Sequence, residues 1–237
     1  MITQRYTYTP CPRDESSGTR LYVLPDGQRV PSVTTILSKT EPAEKKIALA
    51  NWRKAVGHDR AQAITTQAAN RGTRMHKYLE NFILTDDLCD IPSNPFAHPS
   101  WYMAAKVILN GLNNVDEFWA TEAPLYYPGL YAGTTDCVGV WKGRPSIIDF
   151  KQTNQPKSWE KIDDYKIQLC AYAQAHNFIH GTDIQNGVIM MCVQAKVAPD
   201  GTVDHDPQYQ EFVLEGAEFE HFTTKWMERV EQFYQLA

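Results

Sequence analysis

Two stretches of the chain place charge where apolar packing is expected. Tyr131 to Trp141 is rich in Thr, Val and aromatic residues, as a strand should be, and Ser146 to Gln152 resumes the pattern after Lys142, Gly143, Arg144 and Pro145. The expectation is an antiparallel hairpin with a four-residue connection and Trp141 opposite Ser146. That pairing sets Asp136 across from Lys151 and Val138 across from Asp149. Side chains alternate along a strand, so Asp136, Asp149 and Lys151 leave one face of the hairpin together. The two carboxylates are then diagonal neighbours, roughly 7–8 Å apart at the backbone. At that distance they can share a hard cation with oxygen ligands. Lys151 beside them can hold a water or stabilise a phosphate. An Asp-x-Lys alone is common as a surface ion pair. Here Ile147, Ile148 and Phe150 mark a strand buried on both faces, where a charge needs a partner. A metal ion is such a partner.

The remaining elements frame this hairpin. Residues 1–19, with Pro10, Pro12 and Ser16-Ser17-Gly18, read as a loosely held arm. Arg20 to Val30 reads as a hairpin turning at Pro25-Asp26-Gly27. Ser32 and Thr34 follow, two hydroxyls that could donate to a phosphate or simply cap a turn. Helical spacing predicts one helix over 43–56, stopped by Gly57, and a second over 59–84 with Asn70-Arg71-Gly72 as its weak point. Met75, Leu79, Phe82 and Ile83 form the second helix's apolar stripe. Three prolines make 85–100 a loop, and Ser100 is the expected N-cap of a helix over 101–110. A strand over 115–127 contains Glu122. After the central hairpin come a helix over 159–179 capped by Ser158, an apolar strand over 187–194, a turn at Pro199-Asp200-Gly201 and a strand over 210–214. The last helix, 217–236, repeats Phe219, Phe222, Trp226, Val230 and Phe233 as a packing stripe. This order predicts an α/β fold: a mixed central β-sheet flanked by helices, with a helical N-terminal elaboration, in one domain spanning 1–237.

Composition enters through charge. The chain has a net charge of −5, which at first disfavours a nucleic-acid partner. Residues 43–80, however, carry eight basic side chains against three acidic ones, so this segment is +5 and the remainder −10. Such asymmetry fits either one basic face for a polyanion or a solvated helix. Arg71, Arg74 and Lys77 are the candidate phosphate contacts. No apolar run approaches the ~18 residues of a membrane span. The first residues lack the form of a secretory signal. Five cysteines without a C-x-x-C read as thiols of a reducing compartment. The expectation is a cytoplasmic protein (host cytoplasm if it comes from a phage).

The G-x-x-D of Gly133 to Asp136, the D-F-K of Asp149 to Lys151 and the Q-x-x-x-Y of Gln168 and Tyr172 together resemble the PD-(D/E)xK nuclease superfamily. Within it the likeness is to the RecB-type exonuclease branch, including mitochondrial genome maintenance exonucleases and similar phage exonucleases. It runs from about Val30 to Tyr172. The resemblance implies a restriction-endonuclease-like core and hydrolysis of DNA with Mg²⁺ or Mn²⁺. Arg71-Gly-Thr-Arg-Met-His76 looks like the family's histidine motif, which makes His76 a metal ligand beside Asp136, Asp149 and the Phe150 carbonyl. Glu80 would orient the imidazole. Glu122 matches a carboxylate on the strand before the G-x-x-D strand and could approach the metal or its water. Gln168 and Tyr172 are implied to pack beside the site. Some relatives hold an iron–sulfur cluster with a late cysteine group, and no cysteine follows Cys192 here, so no cluster is expected. The expected function is a metal-dependent exonuclease preferring single-stranded DNA with a free end, working as a monomer, with the basic helices over 43–84 lying across the active site. The alternatives are an endonuclease on the same site and a non-cleaving nucleic-acid-binding protein.

Overall fold

A computed structural model describes residues 1–14, 21–197 and 203–236. Ser16-Ser17-Gly18, Arg20 and the turn expected at Pro199-Asp200-Gly201 lie outside the described residues. The chain opens with a small antiparallel sheet of β1 (Arg13–Asp14), β2 (Leu21–Val23) and β3 (Arg29–Pro31). Four helices follow: α1 (Val33–Lys39), α2 (Ala43–Val56), α3 (His58–Thr85) and α4 (His98–Asn110). Next come β4 (Val115–Tyr127), β5 (Tyr131–Trp141), β6 (Arg144–Thr153), α5 (Asp163–His180) and β7 (Asn186–Val193). A short pair, β8 (Lys196–Val197) and β9 (Val203–His205), precedes β10 (Gln208–Glu215) and α6 (Gly216–Gln235).

The main sheet has the order β10-β7-β6-β5-β4. Only β6 and β7 are parallel neighbours, joined through α5, as a parallel crossover requires. The sheet is mixed, as the order of elements predicts. It is covered on both faces because its central strands are apolar on both. In β7, Ile189 and Met191 pack toward α5 and α6, while Val188, Met190 and Cys192 pack toward α3 and α4. In β6, Ile147 takes the first side, and Ile148 and Phe150 the second. The stripe of α6 is core: Phe219, Phe222, Trp226 and Val230 are all buried. No helix among the described residues is long and apolar enough to cross a membrane.

Besides the start of α5, which lies at Asp163 and not at a Ser158 cap, four local expectations differ from the structure. The β5–β6 connection is two residues, not four: Lys142 and Gly143 both have positive φ, 47° and 77°, the signature of a type I′ turn. This turn follows the natural twist of the strands, so Arg144 and Pro145 join β6 and Trp141 pairs with Arg144. The register therefore moves by two residues, which leaves every side chain on its predicted face. Second, α3 is continuous through Gly72. The Arg71 guanidinium donates to Gln152 Oε1 at 2.9 Å and also to Asn154 Oδ1, tying this turn to the end of β6. Third, α4 begins at His98, with Pro99 in its first turn, where its missing N–H costs nothing. Ser100 is buried and donates to the Arg71 carbonyl at 3.1 Å instead of capping. Fourth, the described part of the N-terminal arm is held down. Thr3 N–H donates to the Phe118 carbonyl at 2.7 Å, Arg5 pairs with Glu117 at 2.6 Å, and Tyr6 and Tyr8 pack on His176 and His180 at the end of α5. Its aromatic residues find a docking face that no short-range pattern could announce.

Candidate active site

The ladder between β5 and β6 ends at Cys137 opposite Ile148. One step further along the same register stand Asp136 and Asp149, where the strands part. Parting leaves the Phe150 N–H without a strand partner on that side, and it donates to Asp136 Oδ2 at 2.7 Å. On the other side of β5, Thr121 pairs with Cys137 and Ala123 with Thr135, bracketing Glu122 opposite Asp136. Glu122 has φ of +48°, a left-handed conformation that costs energy for a residue with a side chain. Strain of this kind persists only where the surroundings impose it, and here it lies at the fork.

His76 reaches the fork from α3. Met75 and Leu79 on the same helix are fully buried against the sheet and fix the helix's rotation. The imidazole lies with Nε2 3.0 Å from the Phe150 carbonyl and Nδ1 3.5 Å from Asp136 Oδ1. One ligand atom from each of His76, Glu122 and Asp136 lies within 4.8 Å of the other two. Ligands on opposite sides of a Mg²⁺-sized ion are about 4.2 Å apart, so the three need only close slightly to share such an ion, with the Phe150 carbonyl beside them.

Asp149 and Lys151 form the adjoining pair. Lys151 Nζ lies 2.6 Å from Asp149 Oδ1 and 2.5 Å from Oδ2, and it sits 5.0 Å from the centre of the Tyr165 ring. Both carboxylate oxygens face the ammonium, and among the described residues the buried Asp149 Oδ2 meets no partner besides Lys151. An anionic oxygen in that state, beside a second carboxylate and an imidazole, suits a hard dication with mixed oxygen and nitrogen ligands.

The electrostatics show the same crowding. Burial pushes the Asp149 carboxyl up to about 6; Lys151 opposes the shift and the Asp136 charge adds to it. Burial also pushes Asp136 up, but the His76 hydrogen bond and charge, Lys151 and the Phe150 N–H together hold it below the usual carboxylate range. Burial pulls His76 down, and Asp136 outweighs it, leaving the imidazole above its ordinary value. For Lys151, too, the neighbouring carboxylates outweigh burial and raise the pKa. Glu122 is raised by burial and by Asp136. Protons on His76 and Lys151 compensate carboxylates that a bound dication would otherwise neutralise.

The other sequence-chosen residues fall into two groups. Tyr172 is buried with its ring on Gly133: a Cβ there would lie 2.9 Å from both Cε1 and the hydroxyl. Burial raises the Tyr172 hydroxyl pKa, a hydrogen bond with Gln168 works against that, and Asp136 and Asp149 reinforce it. Both residues of the Q-x-x-x-Y pair thus border the fork. Ser32 is the N-cap of α1, accepting from the Thr35 N–H at 2.9 Å and lying 3.0 Å from the Thr34 hydroxyl. Arg71 is committed to Gln152 and Asn154, and Arg74 Nε lies 3.5 Å from Ser100 Oγ. Of the three basic candidates, Lys77 alone lines the cleft.

That cleft, of about 650 Å³, is lined by Arg13, Gly72, Thr73, His76, Lys77, Glu80 and Glu122. Arg13 is the residue that sequence reasoning missed. It belongs to an arm without periodicity, and nothing in its neighbours links it to α3.

No family model matches the chain. It is 25% identical over 232 residues to mitochondrial genome maintenance exonuclease 1 of Mus musculus, covering 94% of this chain and 64% of that one. With the Homo sapiens protein of the same name it shares 24% over 212 residues, 86% of this chain and 58% of that one. The chain therefore spans about three-fifths of the length of these curated relatives. A crystal structure described as that of a candidate exonuclease from Eubacterium rectale superposes with a TM-score of 0.46 at 11% identity, over 70% of this chain and 64% of the other. Over most of its length, then, the chain is similar in sequence to mitochondrial genome maintenance exonuclease 1.

Proposed function

We propose that this chain is a metal-dependent DNA exonuclease of the PD-(D/E)xK type, acting in DNA replication, repair or recombination. The observation that carries the reading is the fork itself. His76, Glu122, Asp136 and the Phe150 carbonyl converge, His76 and Glu122 lining an open cleft, with the buried Asp149–Lys151 pair beside them. The sequence similarity to named exonucleases supports it independently.

These residues divide the work. His76, Asp136, Asp149 and the Phe150 carbonyl, with Glu122 at the rim, would hold Mg²⁺ or Mn²⁺. When bound, such an ion supplies Lewis-acid polarisation of the phosphate and acidifies a coordinated water. Asp149 holds the Lys151 ammonium in place, so that it can orient a water and meet negative charge developing on the phosphate. Gln168 and Tyr172 wall the site on the α5 side. The substrate reading is single-stranded DNA with a free end, supported by the exposed basic stretch of α2 and the first half of α3, with products carrying a 5′-phosphate.

The deciding experiment is a digestion time course on 5′- and 3′-labelled single strands, duplexes and closed circles, with and without Mg²⁺. Metal-dependent loss of label from linear single strands is expected. Rapid cutting of closed circles would turn the reading to an endonuclease. Binding without cutting would turn it to a non-cleaving protein. Asp149→Ala and Lys151→Ala should each lower turnover by at least ~100-fold, about 3 kcal/mol, while DNA binding persists. Near-native turnover in either variant would remove the assigned site.

A further inference from the structure

We propose that Arg13 is a phosphate-gripping residue, holding the nucleic-acid backbone against the wall of the cleft opposite Lys77. This rests on the nuclease reading above and assigns the cleft's second cationic wall.

The cleft presents an anion with a problem. Its lining carries Glu80 and Glu122, with Asp136 behind them, and besides the His76 imidazole at the fork α3 contributes only Lys77 as a cation. A phosphodiester entering between α3 and β4 would meet more negative than positive charge. Arg13 redresses this from a different element, β1 of the small N-terminal sheet, and its charge reaches far enough to oppose the upward shift at Glu122.

Its guanidinium is also pre-set. Arg13 pairs with Tyr22 in the β1–β2 ladder, its Nε donates to the Tyr22 hydroxyl at 3.1 Å, and its Cζ lies 5.7 Å from the centre of that ring. Tyr22 is itself buried. Anchoring through Nε fixes the plane of the fork and leaves the terminal nitrogens as donors. Two parallel N–H groups from a fixed plane suit the paired oxygens of a phosphate. Among the described residues no carboxylate forms an ion pair with Arg13, in contrast to Arg29 on the same sheet, which pairs with Asp14 at 3.0 Å. The sheet thus neutralises one arginine and presents the other to the cleft.

The test is binding of a labelled single-stranded oligonucleotide to the full chain, without metal, over a series of salt concentrations. Wild type is compared with Arg13→Ala, Arg13→Lys and Tyr22→Phe. Removing one phosphate contact from a single strand should lower the salt slope by about 0.7, and we expect affinity to fall about tenfold in Arg13→Ala. Arg13→Lys should keep the slope but recover only part of the affinity, since the ammonium lacks the fork. Tyr22→Phe should weaken binding with the slope intact. Metal affinity, read by titration calorimetry, should not fall in Arg13→Ala, which separates gripping from ligation. Thermal melting of each variant establishes that it is folded, and Arg13→Lys tests the idea should Arg13→Ala melt early. Wild-type affinity and slope in a folded Arg13 variant would overturn this proposal and leave the nuclease reading standing. Wild type that neither binds nor cuts DNA would overturn both.

Discussion

Gly133 illustrates how a single residue carries the site. It opens the G-x-x-D stretch and gives the Tyr172 ring room to lie on the strand three residues before Asp136. A Cβ at 2.9 Å from the ring meets a buried side chain that cannot swing away. Gly133→Ala should therefore cost about 1–3 kcal/mol of stability, seen as a lower urea midpoint. Pairing it with Tyr172→Leu should recover part of that loss; no recovery would show that the clash is elsewhere. The basic residues of α3 separate at the same scale. Lys77→Ala should flatten the salt dependence of DNA binding. Arg71→Ala should chiefly destabilise the fold, because its guanidinium joins α3 to Gln152 and Asn154. A larger change in salt slope for Arg71→Ala than for Lys77→Ala would reverse these assignments. Charge within an apolar strand pattern is a local signal and singles out Asp136, Asp149 and Lys151, whereas His76 is found only through the motif resemblance. The strained φ of Glu122 and the reach of Arg13 leave no such signal, since each depends on what tertiary structure brings across the fork.

Elements were legible where their patterns were long. The sequence bounds of α2 and β4 match the structure at both ends, and the two-sided burial of β6 and β7 follows from their unbroken apolar runs. The β5–β6 turn is hidden in the sequence because Arg144 and Pro145 look like loop residues, yet an edge of the ladder tolerates them at the start of a strand. The docking of the N-terminal arm leaves no local signal because its partners are about 110 to 170 residues away. That arm carries a pH prediction. His176 of α5 is fully buried, with Tyr8 Oη 3.0 Å from Nε2 and Thr182 Oγ1 2.8 Å from Nδ1. Burial, helped by His180, pulls its pKa down to about 3. In the unfolded chain the imidazole takes a proton near pH 6.5. The unfolded state thus binds the extra proton as pH falls from about 6.5 toward 3, and stability drops over that window. His176→Gln should lessen the drop by up to about 1.4 kcal/mol per pH unit. Urea unfolding at pH 7, 6, 5 and 4 measures it; parallel curves for the two proteins would dismiss His176 as the source.

At the scale of the whole molecule, the charge asymmetry acquires a shape. Helix α2 buries none of its residues, and in the first half of α3 only Ala61 is buried. From 43 to 70 the chain is therefore an exposed helical stretch, two helices joined at Gly57 and tethered to α5 by the Lys45–Asp164 pair at 2.6 Å. Hydrophobic packing alone gives little reason for it to stand there. Lys46, Arg53, Lys54 and Arg60 are exposed along it, and α3 leads directly from it to His76. A positive arm that runs into the fork beside His76 suits a strand tracked by its backbone without regard to sequence. Replacing these four residues by Gln should flatten the salt slope of single-strand binding by about three. The melting temperature should scarcely change, since exposed charges contribute little to folding. If the strand must pass end-first beneath this arm, bulky groups on both ends of a single strand should stop digestion, and blunt duplex should be cut more slowly than a free single strand. Rapid cutting of the doubly blocked strand would replace threading by an open groove. The four-residue variant would then still lose affinity, because the arm's charge acts on the phosphates whichever way the strand arrives.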